Sequence, residues 1–400
     1  MKTSHNKNRI THLVCLGLAL CLISFSGSVS WAVNVNVPAD ELIEYLQGQQ
    51  TTQPAISGTF RVRGGDDDGE LRDFAPYISG NRVITASGSP TITYGTSGQS
   101  AKADEVEFCF DIVGGSLTFS QAAKFTLSGG YSGYGLFYVE NGSLTFEVDA
   151  ELTGNESEES GGAITIYQSG NLTFARDAIF TINKADADGG ALSMVGGIAN
   201  FNQIATFSNN EAGMGGALDV HGAAALTITG AATFNNNKAV ESMGGAVVAT
   251  NSILDFKNTL TVRNNNANDS GGAFYLQGVE MTIGGAAEFT GNQAELDPDK
   301  PDDGGGAIFA YDRTTIHFKS TATFGGTTLA LGNTSKSAGG AIYVTGDAAL
   351  IFDEAAVFQH NRATAVDGQG GAVYVDVGNL EFKADATFRD NMAGDSGGAM

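Results

Sequence analysis

A Gly-Gly-Ala-apolar tetrad recurs nine times along the chain, its pairs opening at Gly161, Gly189, Gly215, Gly244, Gly271, Gly305, Gly339, Gly370 and Gly397. The intervals are 28, 26, 29, 27, 34, 34, 31 and 27 residues. Self-similarity at this period marks a chain that stacks one supersecondary unit on the next. A second signal precedes most tetrads, an apolar residue followed three positions later by Asn. It reads Phe180/Asn183, Phe207/Asn210, Phe234/Asn237, Val262/Asn265, Phe289/Asn292, Phe358/Asn361 and Phe388/Asn391. Leu152/Asn155 is an early variant, and around Asn333 the Phe is lost. Two linked motifs in register define a solenoid.

Within each unit the hydrophobic period is two, so the units are built of strands. After each tetrad glycine pair, residues such as Ile164/Ile166, Leu218/Val220 and Ile342/Val344 alternate with outward neighbours. A second strand follows (Leu172-Thr173-Phe174, Leu226-Thr227-Ile228, Leu380-Glu381-Phe382) and then a third (Ala205-Thr206-Phe207, Ala232-Thr233-Phe234, Ala386-Thr387-Phe388). Three short strands per ~27 residues predict an all-β fold, a right-handed parallel β-helix of about 9–11 coils spaced ~4.8 Å apart. The alternation predicts an outer face open to water. Asn at the end of the third strand suits a corner, because its side chain bonds nearby backbone and tolerates left-handed φ. The glycine pair permits positive φ and a sharp bend. A β-propeller is the alternative, but its blades need about 40–45 residues.

The chain divides into three stretches. Lys2, Lys7 and Arg9 precede the apolar run Leu13–Phe25, and Ser30-Trp31-Ala32 supplies a cleavage site, so residues 1–32 read as a signal peptide. An uncleaved anchor is the competing reading. Cys21 makes no lipoprotein site, since bulky Leu20 precedes it within the apolar run. Residues 33–110 read as an N-terminal cap with degenerate first coils, opening on a short amphipathic helix from Pro38 to Leu46. Residues 111–400 carry the repeats. Removing the leader takes three of 21 basic residues and none of 44 acidic ones, so the net charge moves from −23 to 18 − 44 = −26. That sign excludes nucleic acid as a partner. Cys109 remains as the single cysteine of residues 33–400, and no internal disulfide can form there.

The alternating Gly-Gly-Ala-[Ile/Leu/Val] and Phe-x-x-Asn signals resemble the repeats of the chlamydial polymorphic outer membrane proteins, over roughly residues 111–400. The resemblance implies an exported β-helical autotransporter passenger, displayed at the outer membrane surface or released outside the cell. It also implies a role in adhesion to a host or neighbouring-cell surface protein or glycan. The chain departs from that pattern by stopping at Met400, inside a repeat and without a translocator barrel. The expectation is a piece of a longer protein.

Several residues carry candidate chemistry. Gly394-Asp395-Ser396-Gly397-Gly398 spells a serine-protease nucleophile motif, but Asn268-Asp269-Ser270-Gly271-Gly272 occupies the same place in its own repeat, so a turn is the reading. His221, His317 and His360 fall at different places in the unit and form no metal set. Two acidic runs, Asp66-Asp67-Asp68-Gly69-Glu70 and Asp297, Asp299, Lys300, Asp302 and Asp303, offer oxygen ligands of the type Ca²⁺ takes, without the spacing of known calcium loops. The second run lies in the longest insertion and is the preferred binding loop. Tyr275, Phe309, Tyr343 and Tyr374 fall at the outward middle position of four successive first strands. They read as a cross-strand ladder or as an aromatic strip for a sugar or protein partner. No cofactor is expected and no catalytic group stands out. A polysaccharide-cleaving β-helix enzyme and a purely structural spacer are the alternatives to adhesion.

Overall fold

The computed structural model describes residues 56–62, 77–94, 109–295 and 304–400. The expected leader, the helix at 38–46, the acidic run at 66–70 and the loop carrying Asp297, Asp299, Lys300, Asp302 and Asp303 lie outside the described residues. All described residues belong to one unit, Val33–Met400. It is a parallel β-solenoid of about ten turns. Every strand pair is parallel, each strand bonding to its equivalent in the preceding and following turn. Among the described residues no helix is long and apolar enough to cross a membrane.

Each turn has four strand positions rather than the three expected from periodicity. In one turn these are Leu218–His221, Ala225–Ile228, Ala232–Asn235 and the two-residue strand Lys238–Ala239. The fourth strand escapes a period-two reading because it offers a single buried alanine. It nonetheless stacks into a ten-stranded ladder of its own. Coils begin before the repeat motif does: Asn81–Tyr94 pairs with Ser116–Ser120 and Lys124–Ser128, so one long strand serves two positions.

The core is a set of aromatic columns. Phe119, Phe146, Phe174 and Phe201 stack along the axis with centroids 4.7, 4.7 and 5.0 Å apart. Phe289, Phe324, Phe358 and Phe388 form another column, at 4.9 Å per step. Between columns the rings meet edge-on, as Phe174 meets Phe180 at 78°. Coil spacing therefore matches the offset stacking that aromatic rings prefer, and the edge contacts fill the interior between columns. Phe324 also resolves the gap near Asn333: the Phe is retained, and residues 325–332, with the short 3-10 turn Leu329–Leu331, intervene before the Asn.

The asparagines do more than turn a corner. Asn237 Nδ2 donates to Asn265 Oδ1 (3.0 Å) in the next coil and to the Phe207 carbonyl (3.0 Å) in the preceding one. Its Oδ1 accepts both the backbone N–H and Nδ2 of Asn210, each at 3.0 Å. The pattern runs from Asn155 through Asn183, Asn210, Asn237, Asn265, Asn292, Asn333 and Asn361 to Asn391. Left-handed φ, expected of these asparagines, falls instead on the residue before them: Ile182, Asn209, Asn236, Asn264 and His360 lie between +54° and +58°. The corner thus separates two jobs, conformation at one residue and cross-coil bonding at the next.

The glycine pair separates two jobs as well. The first member has φ between +57° and +73° in all nine tetrads. The second is held by space: a Cβ on Gly245 would lie 2.1 Å from the Gly272 carbonyl oxygen of the next coil, and one on Gly340 would lie 2.1 Å from that of Gly371. Only hydrogen fits where two turns approach so closely.

Candidate binding face

Outward residues of the first strand form two parallel columns. The middle position runs Tyr138, Thr165, Ser193, Asp219, Val248, Tyr275, Phe309, Tyr343 and Tyr374, each in register with the next. The expected openness to water fails here. Thr165, Ser193, Asp219, Val248, Phe309 and Tyr343 are buried, because the segment leading into each glycine pair folds back over the strand. Thr165 Oγ1, for example, shares its single O–H between the carbonyls of Ser160 (2.8 Å) and Tyr134 (2.9 Å), in the covering segments of its own and the preceding coil.

At one end of the column the four aromatics are brought together as their spacing requires. Tyr275 and Phe309 stack at 5.1 Å and 2°, while Phe309–Tyr343 and Tyr343–Tyr374 meet edge-on at 5.1 and 5.0 Å. With Tyr311, Thr345 and Asp376 they line an open pocket of about 510 Å³. Phe309 and Tyr343 give the pocket a rigid floor, and Tyr311, 37% exposed, forms part of its wall.

A second aromatic cluster, absent from the sequence reading, sits on the same face toward the other end. Tyr134 lies 5.2 Å from Tyr138, and Tyr138 lies 6.3 Å from Tyr167. Carboxylates accompany it. Tyr138 donates to Glu140 at 3.4 Å, and Tyr131 donates to Glu158. Burial first, then the Glu140 charge, pushes the Tyr138 phenol above its ordinary range. The Glu159 charge leads the same upward push on Tyr134. Both phenols therefore stay neutral donors. The alternation Phe137-Tyr138-Val139 matches Val373-Tyr374-Val375, but Tyr134-Gly135-Leu136 stands where later coils have Gly-Gly-Ala, so a count keyed to that tetrad passes over it.

Between the clusters lies a polar group that no linear motif signals. Asp219 accepts from Ser193 Oγ at 3.1 Å and is 2.9 Å from His221 Nδ1. Burial, then the Asp219 charge, raises the Asp188 carboxyl to about 6, and Glu241 adds to it. The hydrogen bond to Asp219 raises His221 in turn. Serine lies on the carboxylate rather than on the imidazole, so this is no nucleophile–base pair. Among the described residues no cluster of three or more His, Cys, Asp or Glu could hold a metal ion.

The remaining candidates have local partners. His317 Nε2 is 2.7 Å from Asp353, which also accepts from Lys383 at 2.9 Å. His360 Nδ1 is 2.8 Å from the Gly326 carbonyl in its corner. Ser396 Oγ donates to Asp395 at 3.2 Å, as Ser270 does to Asp269 at 3.2 Å, so both sites share one turn geometry. Cys109 is buried, donates to Asp111 at 3.4 Å, and is held well above the usual thiol range first by that burial.

The family model of the Chlamydia polymorphic membrane protein repeat matches residues 286–311, from the third strand through Asn292 and Gly305-Gly306-Ala307-Ile308 to the next first strand. This is the family the sequence resembles. No curated protein and no solved structure matches the chain.

Proposed function

We propose that the chain is the surface-displayed passenger of an autotransporter and that it recognises another surface, in adhesion, through its first-strand face. The carrying observation is the unequal use of the solenoid's columns. Inside, the asparagine column keeps one residue from coil to coil, and the core strand columns vary among apolar residues, as Phe201 meets Ile228 and Phe234 meets Val262. On one outer face two aromatic clusters flank a carboxylate group, and a concavity of about 510 Å³ opens at Phe309 and Tyr343. Aromatic rings in a firm frame are what a recognition surface uses, since they contribute contact area at small entropic cost. The repeat match at residues 286–311 supports a surface-associated, non-enzymatic protein. A fold alone does not decide activity, so the proposal rests on this face.

The test is binding of the purified chain to host-type cells and to a glycan array, beside a Tyr343→Ser/Tyr374→Ser double variant. The expected result is cell or glycan binding that falls at least tenfold in the variant. Unchanged binding, with the variant's melting temperature lowered, would reduce the aromatic row to a stabilising ladder.

A further inference from the structure

Building on that reading, we infer that the partner is an extended polypeptide segment rich in lysine or arginine, lying along both aromatic clusters of the first-strand face. Tyr138 and Tyr275 occupy one column and are separated by five register steps through Thr165, Ser193, Asp219 and Val248. At ~4.8 Å per step the clusters stand ~24 Å apart, the reach of about seven to eight extended residues. A single sugar ring cannot bridge them; a linear chain can.

Charge selects the chain. Neither the middle column from Tyr138 to Tyr374 nor the fourth-position column from Glu140 through Tyr167, Val195, His221, Thr250 and Gln277 to Tyr311 contains a lysine or an arginine. Acids stand at each stage of the path: Glu140 and Glu159 by the first cluster, Asp188 and Glu241 by the middle, Asp376 in the far pocket. Among the described residues no salt bridge reaches Glu140, Glu159 or Asp376. A cation over a tyrosine face with a carboxylate alongside gains from both the ring quadrupole and the charge. An acidic glycan would meet repulsion at every one of these points.

The experiment uses the full chain and fluorescence anisotropy with a labelled sixteen-residue (Lys-Ser)8 peptide, its (Glu-Ser)8 counterpart, a four-residue (Lys-Ser)2 peptide, and neutral chitohexaose. Tyr134 and Tyr167 are 47% and 37% exposed, so Tyr134→Ser/Tyr167→Ser is expected to keep the fold, which circular dichroism checks. The expected result is binding of (Lys-Ser)8 alone among the long probes, tenfold weaker in the tyrosine variant although no charge has changed. Glu140→Gln/Glu159→Gln should weaken it by a similar factor, and (Lys-Ser)2 should bind at least tenfold less tightly than the long peptide. Equal binding by the tyrosine variant would reduce the effect to diffuse charge and overturn the inference. Tighter binding of chitohexaose than of (Lys-Ser)8 would overturn it in favour of a glycan. Cell binding that (Lys-Ser)8 does not compete overturns this inference and leaves surface recognition standing. Peptide binding without any cell binding overturns the recognition reading instead.

Discussion

The asparagine column and the outward first-strand column have the same geometry, one side chain per coil in continuous register, yet they use it oppositely. From Asn155 to Asn391 every rung is an asparagine. From Tyr138 to Tyr374 the rungs are tyrosine, threonine, serine, aspartate, valine and phenylalanine. The difference is in what each rung owes its neighbours. An amide in the first column donates to the coils on both sides while its oxygen accepts two bonds from the preceding one, and a hydroxyl with its single O–H cannot make both of those donations. A residue in the second column needs only to fit beneath its covering segment. Uniformity marks what holds the rod together, and variety marks where the sequence is free to serve a partner.

The sharpest way to break the comparison is Asn237→Ala. It removes the acceptor of the Asn210 backbone N–H and of one Asn210 Nδ2 hydrogen, the other staying on the Phe180 carbonyl, and takes the amide donor from the Phe207 carbonyl. At about 1–3 kcal/mol for each such group, the expected cost is about 4 kcal/mol. Neighbour-coupled coils should confine the damage, so hydrogen exchange should accelerate around Asn210 and Asn265 before it does at the ends. Ser193→Ala in the variable column removes one hydrogen bond to Asp219 and should cost about 1 kcal/mol. Equal melting temperatures for the two variants would erase the distinction.

Glycines sharpen the same point at smaller scale. Gly114 has φ +67° with nothing near its missing Cβ, whereas Gly245 is set by contact, its Cβ position 2.1 Å from the Gly272 carbonyl. Gly114→Ala should cost about 1–2 kcal/mol from left-handed strain alone. Gly245→Ala must also push two coils apart, and overpacking brings its cost to about 3 kcal/mol. Thermal melting of both variants ranks them, and a reversed order would show that conformation, not coil spacing, selects the second glycine.

The rod was legible in the sequence because its constraints repeat. Gly161 through Gly397 and the Phe-x-x-Asn corners recur at nearly constant spacing, so one reading of one coil extends to all. What escaped notice lacked repetition or apolar contrast. The fourth strand hides behind single alanines such as Ala212 and Ala239. Left-handed φ falls on Ile182, a β-branched residue that propensity would steer away from it, because the cross-coil bonds of Asn183 dictate the corner. Half of the candidate face was readable: the row Tyr275, Phe309, Tyr343 and Tyr374 follows directly from register. Tyr134 and Asp188 were not, since they reach the face from the covering segments, and Asp219 and His221, although two apart on one strand, carry no apolar contrast that marks them.

Acidity separates the two columns with the smallest expected effect. Amides in the asparagine column do not titrate between pH 4 and 8, so that column should be indifferent to pH in this range. The first-strand face should not be. Asp188 rises from 3.8 to about 6, chiefly through burial, and His221 is raised above 6.5, chiefly by its bond to Asp219. Each holds its proton more tightly folded than unfolded, so each contributes stability at low pH. The Asp188 contribution is complete below 3.8 and is lost as pH rises through about 6; the His221 contribution is lost as pH rises through its raised value. Glu295, lowered by Lys336, acts in the opposite sense, and its contribution is lost only on acidification below the usual carboxylate range. Between pH 5 and 8 the face group therefore sets the slope. Partial exposure of Asp188 and His221 screens the effect to about 1 kcal/mol. Melting temperature should fall over that interval in the unaltered chain and fall less in Asp188→Asn. A curve as steep in the variant would place the slope in the chain's overall negative charge rather than in this face.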